Sequence, residues 1–196
     1  MRVGVISDVH CNVAALEHAV ADLGSRVDEI LLAGDAVYEY RFSNEVVAAA
    51  RRLGMRYVLG NHEQILLGPH GERARAAEGV DPSLVGFLGT LPFRIDVQLG
   101  AKRLCMVHGS PWEPYGDYLH ASSPVFRRAD ELGADFLVFG HTHVPMVKRF
   151  GRTLVVNPGS LGESREAGER HMVSYAIIDI DSDEVEIVRF PNPRLV

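Results

Sequence analysis

Apolar, β-branched runs in this chain stop, one after another, at side chains of the kind that bind metals. Residues 1–7 run into Asp8-Val9-His10. Later runs end at Gly34-Asp35, Gly60-Asn61-His62-Glu63, His108-Gly109 and Gly140-His141-Thr142-His143. Short apolar runs with polar ends can become buried strands, and strands of one sheet bring their ends close together. A hard carboxylate, an amide oxygen and several imidazoles could therefore meet at one point. That mixture suits two first-row divalent cations, a pairing well adapted to attack at phosphorus.

The spacing between runs predicts an α/β domain spanning residues 1–196. Strands are expected at residues 29–33, 55–59 and 136–139. Helices are expected after Asn12 and Ser43, which can act as N-caps, after Asp81-Pro82 and after Ser123-Pro124. Residues 93–99 and 102–107 read as a hairpin turning at Gly100-Ala101. After residue 144 the pattern changes to short antiparallel strands, at 146–150 with 153–157 and at 174–179 with 185–190. Two packed sheets with helices outside account for this layout.

Composition narrows the range of functions. With 196 residues and a net charge of −6, the chain can bury a sizeable core and carries no basic arm for gripping long nucleic acid. No apolar stretch is long enough for a bilayer span, and the first residues lack a signal-peptide core, so a cytoplasmic location is expected and no membrane partner. Two cysteines, Cys11 and Cys105, do not form a disulfide scaffold. The oligomeric state is left open.

The residues themselves suggest roles. Asp8 and His10, two apart in an extended segment, can chelate one ion. Asp35 has two oxygens and can bridge two ions; Asn61, His108, His141 and His143 each offer one further donor. Taken in order, these fragments resemble the signature of calcineurin-like metallophosphoesterases, over essentially the whole chain. Asn157-Pro158-Gly159-Ser160 resembles the tail signature of a compact bacterial and archaeal phosphodiesterase branch.

The resemblance implies a four-layer α/β/β/α sandwich of two mixed β-sheets flanked by helices. It assigns Asp8, His10 and His143 to one metal and Asn61, His108 and His141 to a second, with Asp35 bridging. His62 is implied to protonate the leaving oxygen or steady the phosphate, and Glu63 to stand behind the ligands. Manganese is the first choice of metal; iron, zinc, nickel and cobalt also suit these donors. The implied reaction is hydrolysis of small phosphate esters or nucleotides, with a hydroxide shared by the two metals attacking in line. Alternatives are a dinucleoside polyphosphate hydrolase, a phosphomonoesterase, or a catalytically silent interaction scaffold such as a retromer subunit of this fold.

Several residues depart from the pattern or stand beside it. Cys11 occupies a place where relatives often have glycine; it reads as a small buried hydrophobe or as a thiol beside the metals. No arginine precedes Gly60-Asn61-His62, which disfavours a protein phosphatase. Arg41 is a candidate partner for a substrate phosphate, Tyr38 and Tyr40 can line a cleft, and Trp112, with Tyr115 and Tyr118 after it, is a candidate stacking surface for a base.

Overall fold

The computed structural model describes residues 1–113 and 116–195, so Tyr115 lies outside the described residues. Its first sheet has the strand order β10-β9-β1-β2-β3, formed by β1 (Arg2–Ile6), β2 (Glu29–Leu32), β3 (Arg56–Tyr57), β9 (Met172–Asp179) and β10 (Glu184–Pro191). The second has the order β4-β5-β6-β8-β7, formed by β4 (Arg94–Leu99), β5 (Lys102–Val107), β6 (Phe136–Val138), β7 (Met146–Phe150) and β8 (Thr153–Asn157). Strands β1, β2 and β3 run parallel, as do β5, β6 and β8. The hairpins at the edges are antiparallel. Both sheets are therefore mixed.

Alternation along the strands assigns each side chain to a layer. Val3, Val5 and Leu31 of the first sheet meet Leu104, Met106, Phe136, Val138 and Val156 of the second in a buried inter-sheet core. The intervening Ile6 and Leu32 point the other way, onto α1 (Val13–Leu23) and α2 (Asn44–Arg52). Across the molecule, Cys105, Leu137, Phe139 and Val155 pack beneath Phe126 and Leu132 of a 3-10 helix, Pro124–Leu132. Strands buried on both faces explain the unbroken apolar runs in the sequence. The result is the expected four-layer α/β/β/α sandwich.

Three details differ from the sequence expectation. The strand expected over residues 55–59 pairs only through Arg56–Tyr57, because Leu59 N–H turns away to the Pro92 carbonyl at 2.8 Å. The helix expected after Ser123-Pro124 is a 3-10 helix, closed as anticipated by Gly133 at φ 61°. Strand β8 is more than half of an antiparallel hairpin, since its other edge runs parallel to β6 near the middle of the second sheet.

A further helix, α3 (Asn61–Leu67), begins on the Gly60-Asn61-His62-Glu63 fragment itself. Glu63 is fully buried and turns back to accept from Gly60 N–H at 2.8 Å, closing the first turn. The same carboxylate accepts from the N–H groups of Asp35 at 2.8 Å and Val37 at 3.2 Å, and from the Tyr57 hydroxyl at 2.9 Å. One side chain thus ties the loop after β2 to the start of α3 and the end of β3. Burial and the nearby Asp35 charge raise its pKa to about 6, while these donors oppose the rise.

Removing Glu63 strands several buried donors at once. Glu63→Ala is expected to cost about 3 kcal/mol or more in denaturant unfolding, on the scale of a few buried groups left unpaired. A loss below about 1 kcal/mol would show that the tie is not structural.

Candidate metal centre

The metal-type fragments all sit beyond the C-terminal ends of parallel strands. Asp8 and His10 follow β1, Asp35 follows β2, Asn61 and His62 open α3 after β3, His108 follows β5, and His141 and His143 follow β6. Two sheets deliver these ends to one region, the usual place for a site in a parallel arrangement. The loops are stitched together by main-chain bonds: Asp8 N–H donates to the Gly34 carbonyl and His10 N–H to the Asp35 carbonyl, both at 3.0 Å.

Holding the side chains inward requires unusual backbone. Asp8, His10, Asp35, His141 and His143 have φ between 48° and 66°, the left-handed region. Such conformations cost about 1 kcal/mol or more each for residues with a Cβ, and they gather at functional sites. Cys11 shares the conformation at φ 58°, which is why glycine would be at ease in its place. Its thiol donates to the Arg41 carbonyl at 3.3 Å and packs in the core beneath α1. Burial raises its pKa, so it stands as a small core side chain and not among the converging donors.

Two groups of donors could each hold an ion. In the first, His143 Nε2 lies 3.2 Å from Asp8 Oδ1 and 3.1 Å from His10 Nε2, with His10 Nε2 3.8 Å from the same carboxylate oxygen. In the second, His108 Nε2 lies 3.0 Å from Asp35 Oδ2 and 3.2 Å from His141 Nδ1. Asn61 Oδ1 joins it, 3.1 Å from His108 Nε2. A separation of 3.9 Å from Asp8 Oδ1 to His108 Nε2 links the two groups.

The donor chemistry fits cations. His108 Nδ1–H is engaged by the Ala33 carbonyl at 2.7 Å, His143 Nδ1–H by the Glu163 carbonyl at 2.9 Å and His141 Nε2–H by the Gly116 carbonyl at 3.2 Å. In each ring the other nitrogen is left to face the centre, the arrangement typical of metal-bound histidine. Asp8 Oδ1 is buried with no hydrogen-bond donor among the described residues. The Asn61 oxygen faces only acceptors, with Asp35 Oδ2 at 3.2 Å and His141 Nδ1 at 2.8 Å. Electron pairs crowded against electron pairs in a buried site call for positive charge between them.

Ionisation follows the same logic. Burial lowers His10 and His141 to about 4, which keeps their rings neutral and able to donate electron pairs. Burial also opposes a charge on His108, yet the Asp35 and Asp8 carboxylates outweigh it and raise that ring to about 10. A proton on His108 therefore occupies the place a cation would take, and metal must displace it. Burial works against charge on Asp8 and Asp35 too. Even so, His143 and His108 hold Asp8 below the ordinary carboxylate range, and His108 does the same for Asp35.

His62 stands at the edge of both groups. Its backbone N–H donates to Asp35 Oδ1 at 2.9 Å, and its Nε2 lies 3.7 Å from Asp35 Oδ2. Its Nδ1 is hydrogen-bonded to Glu39, a partner that the sequence did not single out. The ring also meets His10 edge-on at 5.0 Å. With His10 and Asp35 it forms a third cluster of donors that could hold a metal, so geometry alone does not set it apart from the ligands.

Aromatic rings brace the rim. Tyr38 stacks on His10 at 4.5 Å and Tyr40 on Tyr38 at 5.0 Å, while Tyr118 lies over His141 at 3.9 Å. Trp112 is buried against Phe126 in the outer core, and its neighbours Ser110 and Pro111 line the cleft in its stead. Arg41 is exposed, and its backbone carbonyl accepts from Tyr38 N–H at 3.0 Å and from the Cys11 thiol. The Asn157–Ser160 turn is a buttress: Asn157 donates to the Gly140 carbonyl at 2.7 Å and Ser160 to the Asp8 carbonyl at 2.8 Å.

Known proteins share this frame. A relative described as a probable metallophosphoesterase, from Methanothermobacter thermautotrophicus, is 29% identical over 98% of this chain and 95% of its own length. The crystal structure of a metallophosphoesterase from Sphaerobacter thermophilus is 28% identical, covers 97% of this chain and 88% of its own, and superposes with a TM-score of 0.73. A structure described as a novel archaeal phosphodiesterase shares the fold at a TM-score of 0.65 and 19% identity, covering 97% of this chain and 100% of its own. The model of the calcineurin-like phosphoesterase superfamily domain matches residues 1–183, the stretch that carries every donor described above. The chain belongs to the calcineurin-like phosphoesterase superfamily.

Proposed function

We propose that this phosphoesterase is a two-metal phosphodiesterase acting on small phosphate esters or nucleotides, with manganese as the working ion. Asp8, His10 and His143 hold one cation, Asn61, His108 and His141 the other, and Asp35 stands between them. The observation that carries the reading is the convergence of two groups of buried donors, with Asp8 Oδ1 of the first left without a hydrogen-bond partner among the described residues. Bound there, two divalent cations supply a nucleophilic hydroxide near neutral pH and neutralise the phosphate oxygens.

The rest of the chemistry falls to the side chains. His62 presents Nε2 toward Asp35 Oδ2, and Glu39 anchors the opposite nitrogen, fixing the ring. From that position it can pass a proton to the departing oxygen as the P–O bond breaks. Asp8 and Asp35, kept ionised, provide the charge that balances the cations. The net charge of −6 favours small anionic esters bound at the metals over a long polyanion held across the surface.

Two predictions test the scheme. Manganese at about one hundred times its dissociation constant should stabilise the fold by about 2.7 kcal/mol for each site filled, a melting-temperature rise of roughly 10–20 °C for two sites in a chain of this size. Asp35→Asn should abolish most of that rise along with turnover; an undiminished rise would remove Asp35 from the metal site.

His62→Ala should keep its metals, read by elemental analysis, and lose most turnover. The loss should be about 100-fold or more on a nucleoside 2′,3′-cyclic phosphate, whose leaving oxygen is an alkoxide, and much smaller for p-nitrophenolate, which departs without a proton. Equal losses on both substrates would exclude the acid role, and lost metal would make His62 a ligand.

A further inference from the structure

A cleft of about 550 Å³ opens beside one half of the metal centre only. Asn61, His108 and His141, the donors of the second group, form part of its wall; Asp8, His10 and His143 do not line it, and neither does His62. Its remaining surface is mainly apolar, built by Leu59, Phe93, Val107 and Pro111. Phe93 is 56% exposed, so its ring face is open to the cleft. The volume is that of an ordinary small-molecule site.

The charge of the cleft limits what it can take. Its one guanidinium, Arg94, is held by Asp96 through two hydrogen bonds, at 2.6 and 2.8 Å, so the pair presents little net charge. Apart from the proposed ligands His108 and His141, Arg94 is the only basic side chain among the described lining residues. A polyphosphate tail entering here would be desolvated against Leu59, Val107 and Pro111 with poor compensation. A planar, uncharged ring would instead bury its faces against Phe93 and Pro111, with Gln64 able to meet a polar edge.

Resting on the phosphoesterase reading above, we infer that this cleft binds the retained arm of a phosphodiester, and that the arm carries a nucleobase or similar aromatic ring. His62 stands outside the cleft, so the arm it protonates departs on the other side of phosphorus. Water oxygen forms the new bond to phosphorus and the bond to the departing arm breaks. The ring in the cleft leaves afterwards as its monoester. Phe93 is then a specificity residue, acting on binding of the retained arm and not on the proton transfer.

The test compares two diesters that release the same p-nitrophenolate: thymidine 5′-(p-nitrophenyl phosphate) and methyl p-nitrophenyl phosphate. Wild-type protein loaded with manganese should favour the thymidine ester in kcat/KM by roughly tenfold or more, and Phe93→Ala should remove most of that preference, the scale of one base–aromatic contact. Calorimetry with thymidine 5′-monophosphate and with methyl phosphate reads the same difference without turnover. A preference unchanged in Phe93→Ala, or absent in wild type, overturns the cleft assignment while leaving the phosphoesterase intact. Absent turnover on both esters, with thymidine 5′-monophosphate still bound in a Phe93-dependent way, overturns the phosphoesterase reading and keeps the cleft.

Discussion

Seven metal-type side chains are gathered in one largely buried region, and much of the surrounding structure exists to keep them there. Their oxygen and nitrogen atoms approach to about 3 Å. Left to relax, such groups would turn toward water. Strands fixed by an inter-sheet core deliver the loops, main-chain bonds between the loops lock their positions, and left-handed backbone turns the side chains inward. The left-handed backbone has a cost that folding alone would not incur, of the kind that accumulates at sites of function.

The inter-sheet core explains why a site with so much strained backbone survives. Val3, Val5 and Leu31 lie against Leu104, Met106 and Phe136 with almost no exposure, and each strand that ends in a donor is anchored a few residues earlier in this layer. Burying a side chain of this size contributes on the order of 1.5–3 kcal/mol. A handful of them offsets strain of about 1 kcal/mol or more at each of the five left-handed donors. Glu63 then resolves what the core cannot reach, the relative placing of two loops on the first sheet.

Most of the strand layout was legible in the sequence because both faces of the central strands are buried and leave long apolar runs. The donors were legible because each stands where such a run stops. What escaped had a different physical origin. Helix α3 was hidden since its first residues are the metal-type fragment, although Glu63 three residues after Gly60 is a helix-start signal. Glu39 sits in an irregular loop with no periodicity, and only the folded chain brings it to His62. Trp112 read as a stacking surface because aromatics after a donor invite that role; its burial against Phe126 depends on how the following 3-10 helix folds back over the sheet. The parallel pairing of β6 with β8 joins segments that local hairpin signals cannot connect.

The orientation of three imidazoles is written into the main chain. His108, His141 and His143 each fix their tautomer on a carbonyl, of Ala33, Gly116 and Glu163, and a carbonyl is present whatever residue carries it. Substitution at those three positions therefore leaves the anchoring atom in place, and the centre is buffered against sequence drift on its outer side. His10 is the exception, with a ring steadied by the Tyr38 face and no partner for its Nδ1 among the described residues. Variation among descendants of this chain should accordingly be tolerated at the exposed Gly116 and Glu163, less so at Ala33, which is buried between the sheets, and be felt at Tyr38, where a side chain does the work that a peptide group does elsewhere.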